Sequence, residues 1–125
     1  MSSSSRWLEP FSVAQNEILC RAKGAHHGPT SDGHQDGREL WETARQREMS
    51  LFDAVETCRK CHKIAPFTNF NGNTFSAIAR IIVKKPGAEP QKEHIARSLA
   101  GHIVAGVASA EEIRAFREFC ECLNA

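Results

Sequence analysis

The sequence predicts an all-α fold. Apolar residues recur at helical spacing in several separate stretches, and cap and stop residues punctuate those stretches. No run alternates with a period of two for long enough to make a strand. A chain of 125 residues supplies one small domain.

Residues 1–37 read as a poorly structured N-terminal extension, and residues 38–125 as the folded domain. Ser2 to Ser5 is low in complexity. A short apolar stretch, residues 11–19, suits a helix of two turns. Residues 24–37 are dense in Gly, Pro, Asp and Ser and predict a loop. That loop carries His26, His27 and His34, which suit solvent or a metal.

A helix is expected over residues 38–56, with Leu40, Trp41, Ala44, Phe52 and Val55 on its apolar side. It leads directly into Cys58. Residues 64–73 read as loop, with Pro66 and a turn at Asn71 to Asn73. A second helix is expected over 74–83, stopped by Pro86 and Gly87, with Lys84 and Lys85 favourably placed at its C-terminal end. A third spans about 91–104, with Ile95, Leu99, His102 and Ile103 on one face and Gly106 as its stop. Ser109 and Glu112 form a capping box for the closing helix. Ile113, Phe116, Phe119, Cys120 and Leu123 continue it as an apolar stripe.

Net charge is +1, but the charge is uneven. Residues 57–102 hold eight Lys or Arg against Glu89 and Glu93. A positive face around the middle of the chain follows, with a mixed solvated surface as the alternative. The charge is too dilute, and too poor in Arg–aromatic clusters, for nucleic acid. No apolar run reaches the ~20 residues that span a bilayer. The first ten residues lack the apolar core of a secretory signal, which is ~7–15 residues long. The aromatic content is seven Phe, two Trp and no Tyr. So few large apolar side chains suit a domain that a cofactor helps to hold together.

The five cysteines are Cys20, Cys58, Cys61, Cys120 and Cys122. An odd count argues against a pure disulfide framework. Cys120 and Cys122 point about 200° apart on a helix, so they suit neither one metal nor a relaxed disulfide. Cys120 reads as a buried apolar residue and Cys122 as incidental.

The Cys58-x-x-Cys61-His62 motif carries the chemistry. Two thiols one helical turn apart match the separation of the two haem vinyl groups, and the next histidine then lies under the iron. Cys-x-x-Cys also serves zinc and thiol redox sites. A zinc site would have to recruit His62, His94, His102 or the Cys120 region, because no second Cys-x-x-Cys exists. A thiol–disulfide enzyme would need a βαβ pattern, and none is present. A helical protein with incidental cysteines is the remaining alternative. Phe67, Phe70, Phe75, Ile78, Ile82, Leu99, Ile103, Ile113 and Phe116 suit either a haem cavity or an ordinary core.

Three segments between Leu51 and Leu123 resemble the class I cytochrome c family, especially its short bacterial single-haem type. They are Cys58-x-x-Cys61-His62 after a helix, the run from Phe75 to Arg80, and the start of the closing helix at Ser109 to Ile113. The resemblance implies an all-α domain enclosing one covalent haem c, held by Cys58, Cys61 and His62. It implies an electron carrier and not an enzyme, periplasmic if the haem is attached. Redox partners would meet a basic face of Arg59, Lys60, Lys63, Lys84 and Lys85. Pro66 is the candidate whose carbonyl would orient the His62 imidazole.

The chain departs from the family at the second axial ligand. The usual methionine is replaced by Ala105, and the only methionines are Met1 and Met49. His102 is the expected ligand opposite His62, with His94 as its substitute, and an open sixth position is the third outcome. Loss of methionine ligation lowers the expected reduction potential. The zinc-binding module on Cys58 and Cys61 stays open as the alternative.

Overall fold

Six helices and no named strand make up the described residues, 5–30 and 32–123, of the computed structural model. They are α1 (Ala14–Lys23), α2 (Gly33–Arg45), α3 (Leu51–Ile64), α4 (Asn71–Lys84), α5 (Pro90–Ala105) and α6 (Ala110–Cys122). The low-complexity run at residues 2–5 lies outside this description except for Ser5. No helix among the described residues is long and apolar enough to cross a membrane.

Helices α3, α4 and α5 pack on one another at the centre, with α1 against α4, α2 against α3, and α6 against α5 and α3. One core joins them. Phe67, Phe75, Ile82, Ile103 and Phe116 are buried in it, together with Trp41, Val55, Val83 and Val104. Each of these side chains contributes roughly 1.5–3 kcal/mol on leaving water.

Local chemistry sets the helix ends. Ser50 caps α3 by accepting from the Asp53 amide at 3.1 Å. The Glu89 side chain accepts from the Gln91 and Lys92 amides, with Pro90 in the first turn of α5. Gly106 closes that helix at φ 80°, a conformation other residues adopt only with strain. The capping box of Ser109 and Glu112 forms as expected.

The N-terminal part is more ordered than the sequence suggests. Residues 14–23 are helical, and α2 begins at Gly33 inside the expected loop. Ser5 exchanges backbone hydrogen bonds with Met49, Leu8 is buried, and the Trp7 and Trp41 indoles donate to the carbonyls of Met49 and Glu9. The boundary expected at residue 37 therefore falls within a helix. The single helix expected over 38–56 is two helices, α2 and α3, parted at residues 46–50 where Ser50 starts a new cap.

Buried polar side chains tie α1 to this frame. Asn16 is fully buried and donates to the Asn69 carbonyl at 2.7 Å and to Thr74 Oγ1 at 3.0 Å. Its Oδ1 lies 2.8 Å from His27 Nδ1 and accepts from the Cys20 thiol. His27 is thus half-buried within the structure. His34, at the start of α2, contacts the Pro66 carbonyl.

Candidate functional site

Helix α3 turns Leu51, Ala54, Val55, Cys58 and Cys61 to the interior. Their spacing of three and four residues makes one stripe, and the two thiols are its last members. Both cysteines are completely buried. The Cys61 thiol lies 3.7 Å from the Gly37 carbonyl of α2. Burial pushes the Cys61 thiol up to about 12. Burial, and then the neighbouring Cys61, push Cys58 well above the usual thiol range. Neutral thiols in such surroundings behave as small apolar side chains.

His62 leaves this stripe. Its Nδ1 lies 2.7 Å from the Val104 carbonyl of α5. A carbonyl only accepts, so Nδ1 carries a proton and donates it, which leaves Nε2 as the acceptor in the neutral form of the ring. Val104, not Pro66, thus orients the imidazole. The ring lies over Gly72, where a Cβ would come within 3.1 Å of Nε2.

His62 borders a cleft of about 960 Å³ between α3, α4 and α5. Its wall includes Asn73, Ser76 and Arg80 of α4, Gly101, His102 and Ala105 of α5, and Leu19 of α1. Phe70, at φ 58°, delivers the first turn of α4 into this wall without a side-chain cap. The Asn71 side chain is committed to the Phe67 backbone, whose amide and carbonyl it bonds at 2.9 and 2.8 Å. No acidic residue stands in that first turn. The first turn of α4, at the positive end of the helix dipole, therefore borders the cleft with no acidic side chain of its own.

The two candidate axial histidines part company. His102 shares the cleft with His62, and its Nδ1 meets Glu112 Oε2 at 2.7 Å. The Ser109 backbone amide, and then His102, hold the Glu112 carboxyl below its ordinary value. His94 is exposed and belongs to a smaller neighbouring pocket with Arg80, Arg97 and Ser98. Of the expected basic face, Arg59 is paired with Glu56 and Lys85 with Glu9, each at 3.0 Å. Lys60, Lys63 and Lys84 are exposed. Cys120 is buried and Cys122 exposed.

No family model matches the chain, and no curated protein or solved structure matches it significantly. A haem joined through two thioethers above His62 needs both sulfurs and Nε2 to open on one cavity. The sulfurs are enclosed in the core, and neither cysteine lines the cleft that His62 borders. In this arrangement the residues do not fit the group. Among the described residues no three His, Cys, Asp or Glu side chains are grouped to hold a metal ion. The zinc arrangement therefore finds no ligand set there.

Arg80 and Arg97 count in the sequence only as basic charge, Ser76 as part of the run from Phe75 to Arg80 and Asn73 as a turn residue, and none of them carries a site assignment there. One local signal was available. Asn71 to Thr74 opens a helix with no acidic residue in its first turn, which leaves amides for an anion. That Arg80 of α4 crosses Gly101 of α5 is a tertiary fact with no sequence signature.

Proposed function

We propose that this chain is a small helical binding domain that takes a negatively charged small molecule in the α3–α4–α5 cleft. One observation carries the reading. The wall holds Arg80 and the uncapped start of α4, and it includes no acidic side chain. Arg80 makes no ion pair among the described residues, unlike Arg21, Arg45 and Arg59. Arginine presents a planar fork of donors suited to carboxylate or phosphate. Leu19, Phe70 and Ile81 add apolar wall for the body of such a molecule.

The test is a titration at fixed ionic strength with succinate, citrate and pyrophosphate, followed by amide and histidine-ring NMR. Saturable movement of the Gly72 and Asn73 amides and the His62 ring is expected with at least one probe. Absence of any saturable shift from all three refutes the reading.

A second reading, a haem-carrying electron carrier on Cys58, Cys61 and His62, is favoured by the bare Nε2 of His62 and the presence of His102 in the same cleft. It requires α3 to repack so that both thiols leave the core. Co-expression with haem-attachment machinery and a reduced pyridine haemochrome spectrum decide it. A thioether-type spectrum in stoichiometric yield supports this reading, and a colourless folded protein removes it.

A further inference from the structure

Arg97 presents a problem of its own. Its Nε is the one buried side-chain polar atom left without a hydrogen-bond partner among the described residues. Buried donors in native proteins are ordinarily satisfied, and an orphan points to a missing water or ion. Glu93 stands one turn away on α5, at the right spacing to pair, yet no ion pair joins them. Arg97 lines a pocket of about 290 Å³ with Arg80, His94 and Ser98. All four side chains can donate hydrogen bonds, and the lining holds no carboxylate. Arg80 also lines the larger cleft, so the two spaces share this residue.

The position of Arg80 is built into the fold. Its guanidinium lies on Gly101, where a Cβ would come within 2.7 Å of Nη2 and 2.9 Å of Nε. Only a residue without a side chain lets the group lie there. Ser76 Oγ also donates to the Gly101 carbonyl, at 3.4 Å, which ties α4 to α5 at the same point.

We propose that the pocket of Arg80, His94, Arg97 and Ser98 is a phosphate subsite, and that the ligand of the cleft is a phosphorylated organic molecule whose body lies along Leu19, Phe70 and Ile81. The proposal rests on the anion-binding reading of the cleft and adds the chemical class of its ligand. Two guanidinium forks and a hydroxyl suit a compact tetrahedral dianion. The larger space, with both polar and apolar wall, suits an organic body better than a second bare anion.

The experiment compares inorganic phosphate with phenyl phosphate, with chloride at matched ionic strength as control. The Arg97 Nε–H signal reports the subsite, and the Gly72 and Asn73 amides report the cleft. Phosphate is expected to move the Arg97 and Ser98 signals saturably. Phenyl phosphate is expected to move these and the cleft amides, and to bind about tenfold tighter or more, because its ring buries apolar surface. Arg97→Lys keeps the charge but replaces the guanidinium fork with a single ammonium, so it should weaken both ligands about tenfold or more. Ser98→Ala, on the exposed side of α5, is a second variant should Arg97→Lys fail to fold, and it should weaken phosphate severalfold.

Arg97 and Ser98 signals that respond to phosphate no more than to chloride overturn the subsite. Equal affinity for phosphate and phenyl phosphate overturns the organic ligand. Subsite signals that move while Gly72 and Asn73 stay still with phenyl phosphate overturn the cleft reading and leave the phosphate subsite standing.

Discussion

Gly101→Ala separates binding from stability. The substitution places a methyl group 2.7 Å from Arg80 Nη2, against 3.4 Å or more for an ordinary contact. The guanidinium must withdraw by several tenths of an ångström. It is the far end of an exposed, flexible side chain, so the withdrawal costs the fold little. Alanine in place of glycine inside a helix contributes about 1 kcal/mol. Urea denaturation should therefore show stability unchanged or raised by up to about 1 kcal/mol. Binding should move the other way. Arg80 is the cation common to both pockets, and its displacement should forfeit a charge-assisted hydrogen bond of about 1.5–3 kcal/mol, or roughly 10–150-fold in Kd. Calorimetric titration with phenyl phosphate reads that loss. A variant that binds as tightly as the parent refutes the role given to Arg80. One that loses several kcal/mol of stability shows instead that the guanidinium is fixed packing.

Two other predictions concern the interior. Cys58 and Cys61 stay protonated in the folded chain far above the ordinary thiol value of 9.0. Below that value folded and unfolded chains hold the same protons there. Above it the unfolded chain releases protons that the folded chain keeps, so stability should fall as pH rises from about 9 towards 12, by on the order of 1 kcal/mol per pH unit for each thiol. Urea midpoints across that range check this, and a flat profile counts against the burial of the pair. Asn16→Ala should cost about 2–3 kcal/mol, because it strands the Thr74 hydroxyl, the Asn69 carbonyl and His27. A loss within experimental error would show that this network is not what fastens α1.

Much of the helical layout was legible because its signals are local. Ser109 and Glu112 announce α6 within four residues, and Pro90 and Gly106 bracket α5. The break between α2 and α3 has a fainter local sign, a serine three residues before Asp53, masked by the helix-forming residues on either side. The start of α2 was hidden for a different reason. Gly33 and Gly37 look like turn residues, but each marks a close approach. A Cβ on Gly33 would come within 2.5 Å of the Ala65 carbonyl, and one on Gly37 within 3.0 Å of Pro66. Such contacts join residues about thirty positions apart, which no local pattern records. The same holds for the cleft: His62 was visible, but Val104 as its acceptor and Arg80 as its neighbour were not.

The cysteine pair shows why motif spacing alone leaves the chemistry open. Residues three apart on a helix share a face, whether that face meets two vinyl groups or a neighbouring helix. On α3 the thiols extend the stripe of Leu51, Ala54 and Val55, and Gly37 of α2 covers Cys61. The cover decides between the readings. The double variant Cys58→Ala, Cys61→Ala tests it directly. As core atoms, the thiols leave only small voids, and the variant should stay folded with a loss of about 1–2 kcal/mol per site. It should also lose the share of the fall in stability above pH 9 that these two thiols supply, with Cys120, which burial also pushes up to about 12, keeping its own share. It should keep phenyl phosphate binding unchanged, because neither cysteine lines either pocket. If the thiols instead anchor a haem, the parent protein made with haem-attachment machinery is red and the variant colourless. Retained binding in a colourless, folded double variant of a colourless parent assigns the thiols to the core and the function to the cleft beside them.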